Sequence, residues 1–466
     1  MSQPYSYFET VHIESMDMID EALDVFFQNF DPNQPTIVLL PGGLGSALRQ
    51  SRSAFNGFPQ PPSAFRRVIW VNMGLLFGEA LRLPIDADGF DTKHKIVVAD
   101  GDIDYCLVHP YSDAVRYFRD HLCANVLVMG WDWRRKVMTS VDYLAQTLTE
   151  MSARALNMTG QNILQNTHLI GHSMGGMVAK LLMSSQPHLA KDLQGMISVG
   201  SPFYGYFGQL DRFYNGVEYF NMLYSAPVVA KITSSWPGMY SLLPIDEMTY
   251  DHSHKAIGLT SYPVVDSESG KPVDPYSSSS FSRYPKWTRT GEIPRGFSVR
   301  QVLAAPLQGS LGEKVFHLRV NEADTTQSSA IWEPKLPPHY VPGHSPSPVK
   351  FGLGAGDGTI PVWSAALAST PKANITDFAT GSHAFLMEEP EILAKIANII
   401  TGKTVDASAI EELLTPREDF ATPDETAAII LGIQSGEITP SRPYDPDGKL
   451  IVPPNVLRRM MADYGL

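Results

Sequence analysis

The ten residues His168-Leu-Ile-Gly-His-Ser-Met-Gly-Gly-Met177 set a serine between two glycines, in the pattern Gly171-x-Ser173-x-Gly175. An apolar stretch leads into them, and Met177-Val-Ala-Lys-Leu-Leu-Met183 follows with helical spacing. This arrangement predicts a strand that turns sharply into a helix, with Ser173 on strained backbone at the turn. Glycines two places before and after let neighbouring chain approach where a side chain would block it. The amino end of the following helix then points at the serine, where it stabilises a developing oxyanion. His168 and His172 read as residues packed beneath this turn.

Outward from the turn, the same strand-to-glycine-loop pattern recurs. Thr36-Ile-Val-Leu-Leu40 runs into Pro41-Gly-Gly-Leu-Gly-Ser46, and Asn125-Val-Leu-Val-Met129 runs into Gly130-Trp-Asp-Trp-Arg134. Arg67–Val71, Gly195–Gly200 and Lys314–Val320 are further strand candidates, separated in several places by helical spacing such as Val141–Leu148. Short, uninterrupted apolar strands alternating with helices predict an α/β fold: a mostly parallel sheet with helices on both faces. In such sheets the site lies beyond the carboxyl ends of the strands, where these glycine loops fall. From about residue 201 to 312 the alternation stops. Eleven of the 41 residues from Phe203 to Leu243 are aromatic, against 10% in the whole chain, and a Ser/Pro-rich passage at 271–285 reads as an exposed loop. The expected organisation is a lead-in over 1–34, a core over 35–200 and 313–400, an inserted cap over 201–312, and an extension of short helices over 401–466. The proline-rich passage from Glu333 to Val349 reads as an extended connection.

Composition narrows the functional classes. Hydrophobic residues make up 43% of the 466 residues and charged ones 18%, which predicts a large buried core. With 36 Lys+Arg against 49 Asp+Glu the net charge is −13, which argues against nucleic acid and anionic membrane surfaces as partners. No run is long and apolar enough for a transmembrane segment, and the first twenty residues lack the pattern of a secretory signal. Two cysteines, Cys106 and Cys123, make no disulfide framework. A cytoplasmic enzyme is the expectation. Asp86-Ala-Asp-Gly-Phe-Asp91 departs from a calcium loop in its glycine position, and Asp251-His-Ser-His254 lacks a partner set. No metal or cofactor is expected.

Serine alone is a poor nucleophile; it needs a base, and the base needs an orienting acid. After a strand–serine–helix turn the chain order is serine, acid, histidine. His383, in Gly381-Ser-His-Ala-Phe385 just before the helical run Pro390–Ile400, fits best among the 13 histidines. His317 falls within a strand, and His252 and His254 within the insertion. For the acid, Asp357 in Gly354-Ala-Gly-Asp-Gly-Thr-Ile-Pro361 leads, since a glycine-flanked carboxylate at a strand end can turn toward a histidine. Asp377 is the rival, though it falls inside the preceding strand.

Six motifs occur in an order that resembles the lecithin:cholesterol acyltransferase-like family, which includes lysosomal phospholipase A2. They are Pro41-Gly-Gly-Leu-Gly-Ser46, Trp131-Asp-Trp-Arg134, Gly171-His-Ser-Met-Gly-Gly176, Ser201-Pro-Phe-Tyr-Gly205, Ser241-Leu-Leu-Pro244 and Gly356-Asp-Gly-Thr-Ile-Pro361. The resemblance implies an α/β-hydrolase fold, a Ser173–Asp357–His383 triad and acyl-ester chemistry. It also implies an oxyanion hole from the backbone N–H groups of Gly43 and Met174. The expected activity is hydrolysis of an ester with a sizeable apolar, lipid-like part. The alternatives are acyl transfer to an alcohol and a non-catalytic binding protein of the same fold. The aromatic-rich segment is expected to line the substrate pocket through Phe203, Phe207 and Trp236. For Trp131 a substrate contact stands beside a structural reading, in which Asp132 and Arg134 pair to fix the strand end.

Overall fold

The computed structural model describes residues 7–50, 68–70, 83–86, 91, 96–102, 110–216, 225–336, 339–342 and 345–414. In chain order its strands are β1 (Thr36–Leu40), β2 (Ser46–Gln50), β3 (Val68–Trp70), β4 (Ile96–Asp102), β5 (Asn125–Val128), β6 (Thr167–His172), β7 (Gly195–Val199), β8 (Val264–Asp266), β9 (Val315–Val320), β10 (Glu322–Trp332), β11 (Val349–Gly356) and β12 (Ile375–Phe378). Its helices are α1 (Tyr7–Gln28), α2 (Ser112–Asp120), α3 (Val137–Thr159), α4 (Met174–Ser185), α5 (Pro187–Ala190), α6 (Gly208–Asn215), α7 (Ala226–Thr233), α8 (Glu247–Ile257), α9 (Ile293–Ala304), α10 (Pro390–Thr401) and α11 (Ala407–Leu413).

Six strands form the central sheet in the order β12-β9-β7-β6-β1-β5, and every pairing between them is parallel. Every residue of β1, β6 and β7 is buried, as expected where helices cover both faces. Period-two alternation sorts their side chains. Val38, Leu40, Leu169 and Met196 join a core with α3 and α4, whereas Ile37, Leu39, Ile170 and Ile197 join a second core with α2 and α10. Helix α4 is buried continuously from Met174 to Met183, which is why its sequence is apolar around most of its circumference. At the sheet edge, β12 carries Asp377, which is 43% exposed in its side chain and paired with Arg319 of β9 at 2.5 Å. A charged edge of this kind discourages pairing with another chain.

Two features depart from the expectations, and a third is specified further. The 67–71 stretch contributes β3 to a separate antiparallel sheet, β3-β2-β4, rather than to the parallel one. The proline-rich passage from 333 to 348 joins two antiparallel partners, β10 and β11, as a long hairpin connection. The Ser/Pro-rich passage is not simply an exposed loop: Tyr276 and Tyr284 are buried, and their hydroxyls donate to Leu243 O at 3.1 Å and Pro275 O at 2.8 Å. Those bonds offset the cost of burying the phenol oxygens. The extension beyond residue 414 lies outside the described residues, as does Cys106.

Between β7 and β9 the chain forms α6 to α9 with β8 among them, and β8 pairs with β10 in the sheet β11-β10-β8. This stretch therefore shares a sheet with residues beyond 312. One buried cation seats it on the core, and a second ties its own segments together. Lys180 of α4 donates to Val302 O at 2.6 Å and Ala305 O at 2.7 Å, at the carboxyl end of α9. Arg300 of α9 donates to the carbonyls of Phe203, Ser241 (2.6 Å) and Leu243 (3.1 Å). A cation at the last carbonyls of a helix also meets the negative end of its dipole. Among the described residues no helix is long and apolar enough to cross a membrane.

Candidate active site

Ser173 sits between β6 and α4 with φ 51° and ψ −124°, a left-handed conformation rare for any residue other than glycine. The flanking glycines are required sterically. A Cβ on Gly175 would lie 2.1 Å from Leu40 O, and one on Gly171 would lie 2.4 Å from the Gly176 backbone. The turn thus presses against the end of β1 and leaves the serine partly exposed.

His383 begins a 3-10 turn after β12, and Asp357 follows β11. The two belong to different sheets, yet His383 Nε2 lies 2.9 Å from Ser173 Oγ and its Nδ1 lies 2.7 Å from Asp357 Oδ2. Asp357 is itself fixed, because its Oδ1 accepts the N–H groups of Thr359 (3.0 Å) and Ile360 (2.6 Å). The His383 N–H donates to Asp357 O at 2.9 Å, locking the two loops together through backbone as well as side chain. Histidine and acid are buried, at 7% and 4% exposure. Asp377, the rival acid, points to solvent and pairs with Arg319 instead.

Gly43 lies against Met174: a Cβ on Gly43 would meet the Met174 Sδ at 2.7 Å. Neither the Gly43 nor the Met174 N–H has an acceptor among the described residues, whereas Gly42 N–H donates to Tyr111 Oη at 2.8 Å and Gly45 N–H to Gly42 O at 3.0 Å. Two free backbone donors thus flank Ser173.

The sequence offered no sign of a hydrogen-bonded chain that joins both sides of this site. His172 Nε2 lies 2.8 Å from His383 O, a carbonyl that can only accept, so the His172 proton is on Nε2. Its Nδ1 must then accept, and Tyr111 Oη, 2.9 Å away, donates to it. The Tyr111 oxygen in turn accepts from Gly42. Burial, reinforced by the adjacent His383 ring, pushes the His172 imidazole down to about 3, so it remains neutral. The middle residue of Gly-His-Ser therefore ties the Gly42–Gly43 loop to the backbone of His383. His172 was legible as a residue under the turn, but Tyr111 had no motif around it.

A cavity of about 50 Å³ opens beside Ser173 and His383. Leu44, Met174, Pro202, Met239, Leu242 and Ile360 supply its apolar wall, and Tyr206 and Arg212 also border it. The segment from 201 to 243 does reach the site, but through other side chains than expected. None of Trp131, Phe203, Phe207 and Trp236 lines the cavity, and each is at most 1% exposed. Trp131 Nε1 donates to Pro41 O (2.9 Å) and Trp236 Nε1 to Leu83 O (2.9 Å). Phe203 packs edge-on to His317, and Phe207 to Phe351 and Trp363. These rings pack in the interior, where a large aromatic surface buries best.

Beside Trp131, Arg134 grips Asp132 through two bonds of 2.9 and 2.8 Å and reaches Asp91 at 3.0 Å. Burial opposes the charged carboxylate, yet the Arg134 and Arg135 guanidinium groups hold Asp132 below its ordinary value. Asp91, from the calcium-like stretch, thus serves an ion pair. His252 and His254 bond through Nδ1 to carbonyls one turn back in α8, and no group of three or more His, Cys, Asp or Glu suited to a metal occurs among the described residues.

Comparisons with known proteins agree with this architecture. Residues 135–233, which contain the Ser173 turn, match the family described as PGAP1-like alpha/beta domain. A Saccharomyces cerevisiae protein described as "Uncharacterized protein YJR098C" is 28% identical over 174 residues, 36% of this chain. The chain spans 23% of that protein's length. Among solved structures, the crystal structure of the Tle4–Tli4 complex superposes with a TM-score of 0.50 at 14% identity, covering 81% of this chain and all of that one. The chain has an α/β-hydrolase fold, with a six-stranded parallel sheet and a segment similar to the PGAP1-like alpha/beta domain.

Proposed function

We propose that this protein is a serine hydrolase that cleaves an ester with an apolar part through an acyl-enzyme on Ser173. The observation that carries the reading is the continuous hydrogen-bonded line from Asp357 Oδ2 through His383 to Ser173 Oγ, with spans of 2.7 and 2.9 Å. In this reading His383 Nε2 takes the serine proton as Oγ attacks the ester carbonyl, and Asp357 holds the imidazole in the productive tautomer. The Gly43 and Met174 amides receive the developing oxyanion; one such donor typically contributes about 2.7–4 kcal/mol to the transition state. His383 returns the proton to the leaving alcohol, and water, activated by the same base, frees the acid.

The apolar wall supports an acyl or alkoxy group as the neighbour of the reacting carbonyl. The cavity receives the group next to the reacting carbonyl. A longer chain enters when Met174 and Met239, the most adaptable side chains of the wall, change rotamer. We read residues 201–312 as a cap over the serine, and the six ordered motifs as favouring a place near the lecithin:cholesterol acyltransferase-like enzymes. Acyl transfer to an alcohol uses the same steps with another acceptor.

A fluorophosphonate probe tests the reading. Intact mass should gain one adduct, located on Ser173 and lost in Ser173→Ala. A panel of p-nitrophenyl esters of graded length, run with and without an added alcohol, then reports chain preference and separates hydrolysis from transfer. Labelling at another serine, or undiminished turnover in Ser173→Ala, would remove the basis of the mechanism.

A further inference from the structure

We propose that Arg212 forms an anion subsite in the Ser173 cavity, so that the preferred ester carries a carboxylate or phosphate close to its scissile bond. The inference rests on the hydrolase reading above and specifies its substrate. Arg212 borders the same cavity as Ser173 and His383. Its guanidinium carbon lies 5.5 Å from the centroid of the Tyr206 ring, and Tyr206, 5% exposed, borders the cavity too. The ring holds the cation over its negative face and leaves the planar N–H fork unspent.

Partnering sets this arginine apart from the other described arginines that are not exposed. Arg134, Arg154, Arg283 and Arg319 each pair with a carboxylate, and buried Arg300 donates to backbone carbonyls. Arg212 is partly buried, and its side chain has neither a carboxylate nor a carbonyl partner among the described residues. The adjacent Asp211 is engaged by the Asn215 amide at 2.8 Å. A partly desolvated cation beside Leu44, Met174, Met239 and Leu242 gains most when an anion joins it. Guanidinium matches carboxylate and phosphate with two parallel hydrogen bonds, which a neutral ester group cannot reproduce. With a net charge of −13 the protein offers anions no general attraction, so their selection falls to this local group.

The test compares matched ester pairs on the full-length protein. One pair is p-nitrophenyl hemiglutarate against p-nitrophenyl valerate. The other is a 1-acylglycerol 3-phosphate against the monoacylglycerol of the same acyl chain. The wild type should favour the anionic member of at least one pair by tenfold or more in kcat/KM, and the favoured pair identifies carboxylate or phosphate. Arg212→Gln should bring that ratio to within threefold of unity, chiefly through a higher KM for the anionic ester. Arg212→Lys should retain part of it. No anionic preference in the wild type, or a ratio unmoved in Arg212→Gln, would overturn the proposal while fluorophosphonate labelling of Ser173 leaves the hydrolase reading standing. If Ser173 does not label and no ester is turned over, the hydrolase reading fails by itself. Calorimetric titration with monodecyl phosphate and with decanoate then decides the subsite: binding lost in Arg212→Gln supports it, and binding absent or unchanged refutes it.

Discussion

Replacing Tyr111 by Phe removes one oxygen and leaves two buried polar groups without partners. The Gly42 N–H loses its acceptor at 2.8 Å, and His172 Nδ1 loses its donor at 2.9 Å. Tyr111 and His172 are 2% and 5% exposed, so no room for compensating water is evident at the position of the lost oxygen. An orphaned buried group costs about 1–3 kcal/mol, and two of them about 2–6 kcal/mol. A domain of ordinary stability, about 5–15 kcal/mol, survives this loss and can be assayed folded. Urea melts should therefore show Tyr111→Phe weakened by about 4 kcal/mol, with an unchanged m-value. The catalytic consequence is separate. Gly42 adjoins Gly43, so in the proposed mechanism releasing its N–H loosens one oxyanion donor without deleting it. The bound is the roughly 10²- to 10³-fold cost of losing such a donor, and kcat on a short p-nitrophenyl ester should fall between tenfold and that limit. KM should change less than threefold, since the apolar wall is untouched. A stability loss below about 0.5 kcal/mol would mean the chain of bonds is not made in solution. Lost stability with kcat intact would show that the chain holds the fold together but does not position the oxyanion loop.

Three further outcomes are expected. Asp357→Asn should lower kcat by about 10⁴ with the melting temperature little changed, while Asp377→Asn, which alters only the solvent-facing pair with Arg319, should stay within twofold; steady-state kinetics on both variants checks this, and the reverse ranking would sink the acid assignment. Gly175→Ala places a Cβ 2.1 Å from Leu40 O and should cost about 3 kcal/mol or more, against less than about 1 kcal/mol for Gly291→Ala, where nothing lies within 4 Å; equal melting curves for the two would contradict the close approach at the turn. Burial pulls His168 from 6.5 down to about 4, so it is neutral when folded and stability is lost as pH falls from 6.5 toward 4. His168→Leu lacks that term, and its stability relative to wild type should rise by about 3 kcal/mol between pH 7 and pH 4, measured by urea melts at both.

The strand–serine–helix turn was legible in the sequence because its requirements are local. Gly171, Gly175 and Gly176 are the residues that allow backbone to touch backbone, and no partner elsewhere in the chain is needed to see why. The buried parallel strands were legible for a similar reason: β1, β6 and β7 lie between two helical layers, so each is apolar without interruption. His383 and Asp357 could be nominated from chain order and glycine-flanked loops. That they face each other was decided by folding, since Asp357 follows a strand of the β11-β10-β8 sheet and His383 follows the edge of the central one.

Other features depend on which way a side chain points once distant elements pack, and composition is silent on that. The segment from 203 to 243 is rich in rings, yet Phe203, Phe207 and Trp236 turn into the interior, and Tyr206 joins Pro202, Arg212, Met239 and Leu242 in the cavity wall. An aromatic side chain gains more from full burial against the sheet than from a half-open cavity, so the large rings take the core and leave the site to others. Tyr111 stands 61 residues before His172 in the chain, with no motif around it. Its role arises only because folding brings the start of α2 to the glycine loop, with one hydroxyl within reach of both Gly42 and His172. Local sterics and strand burial are written in neighbouring residues; the partners of a proton, and the walls of a cavity, exist only after the chain has closed on itself.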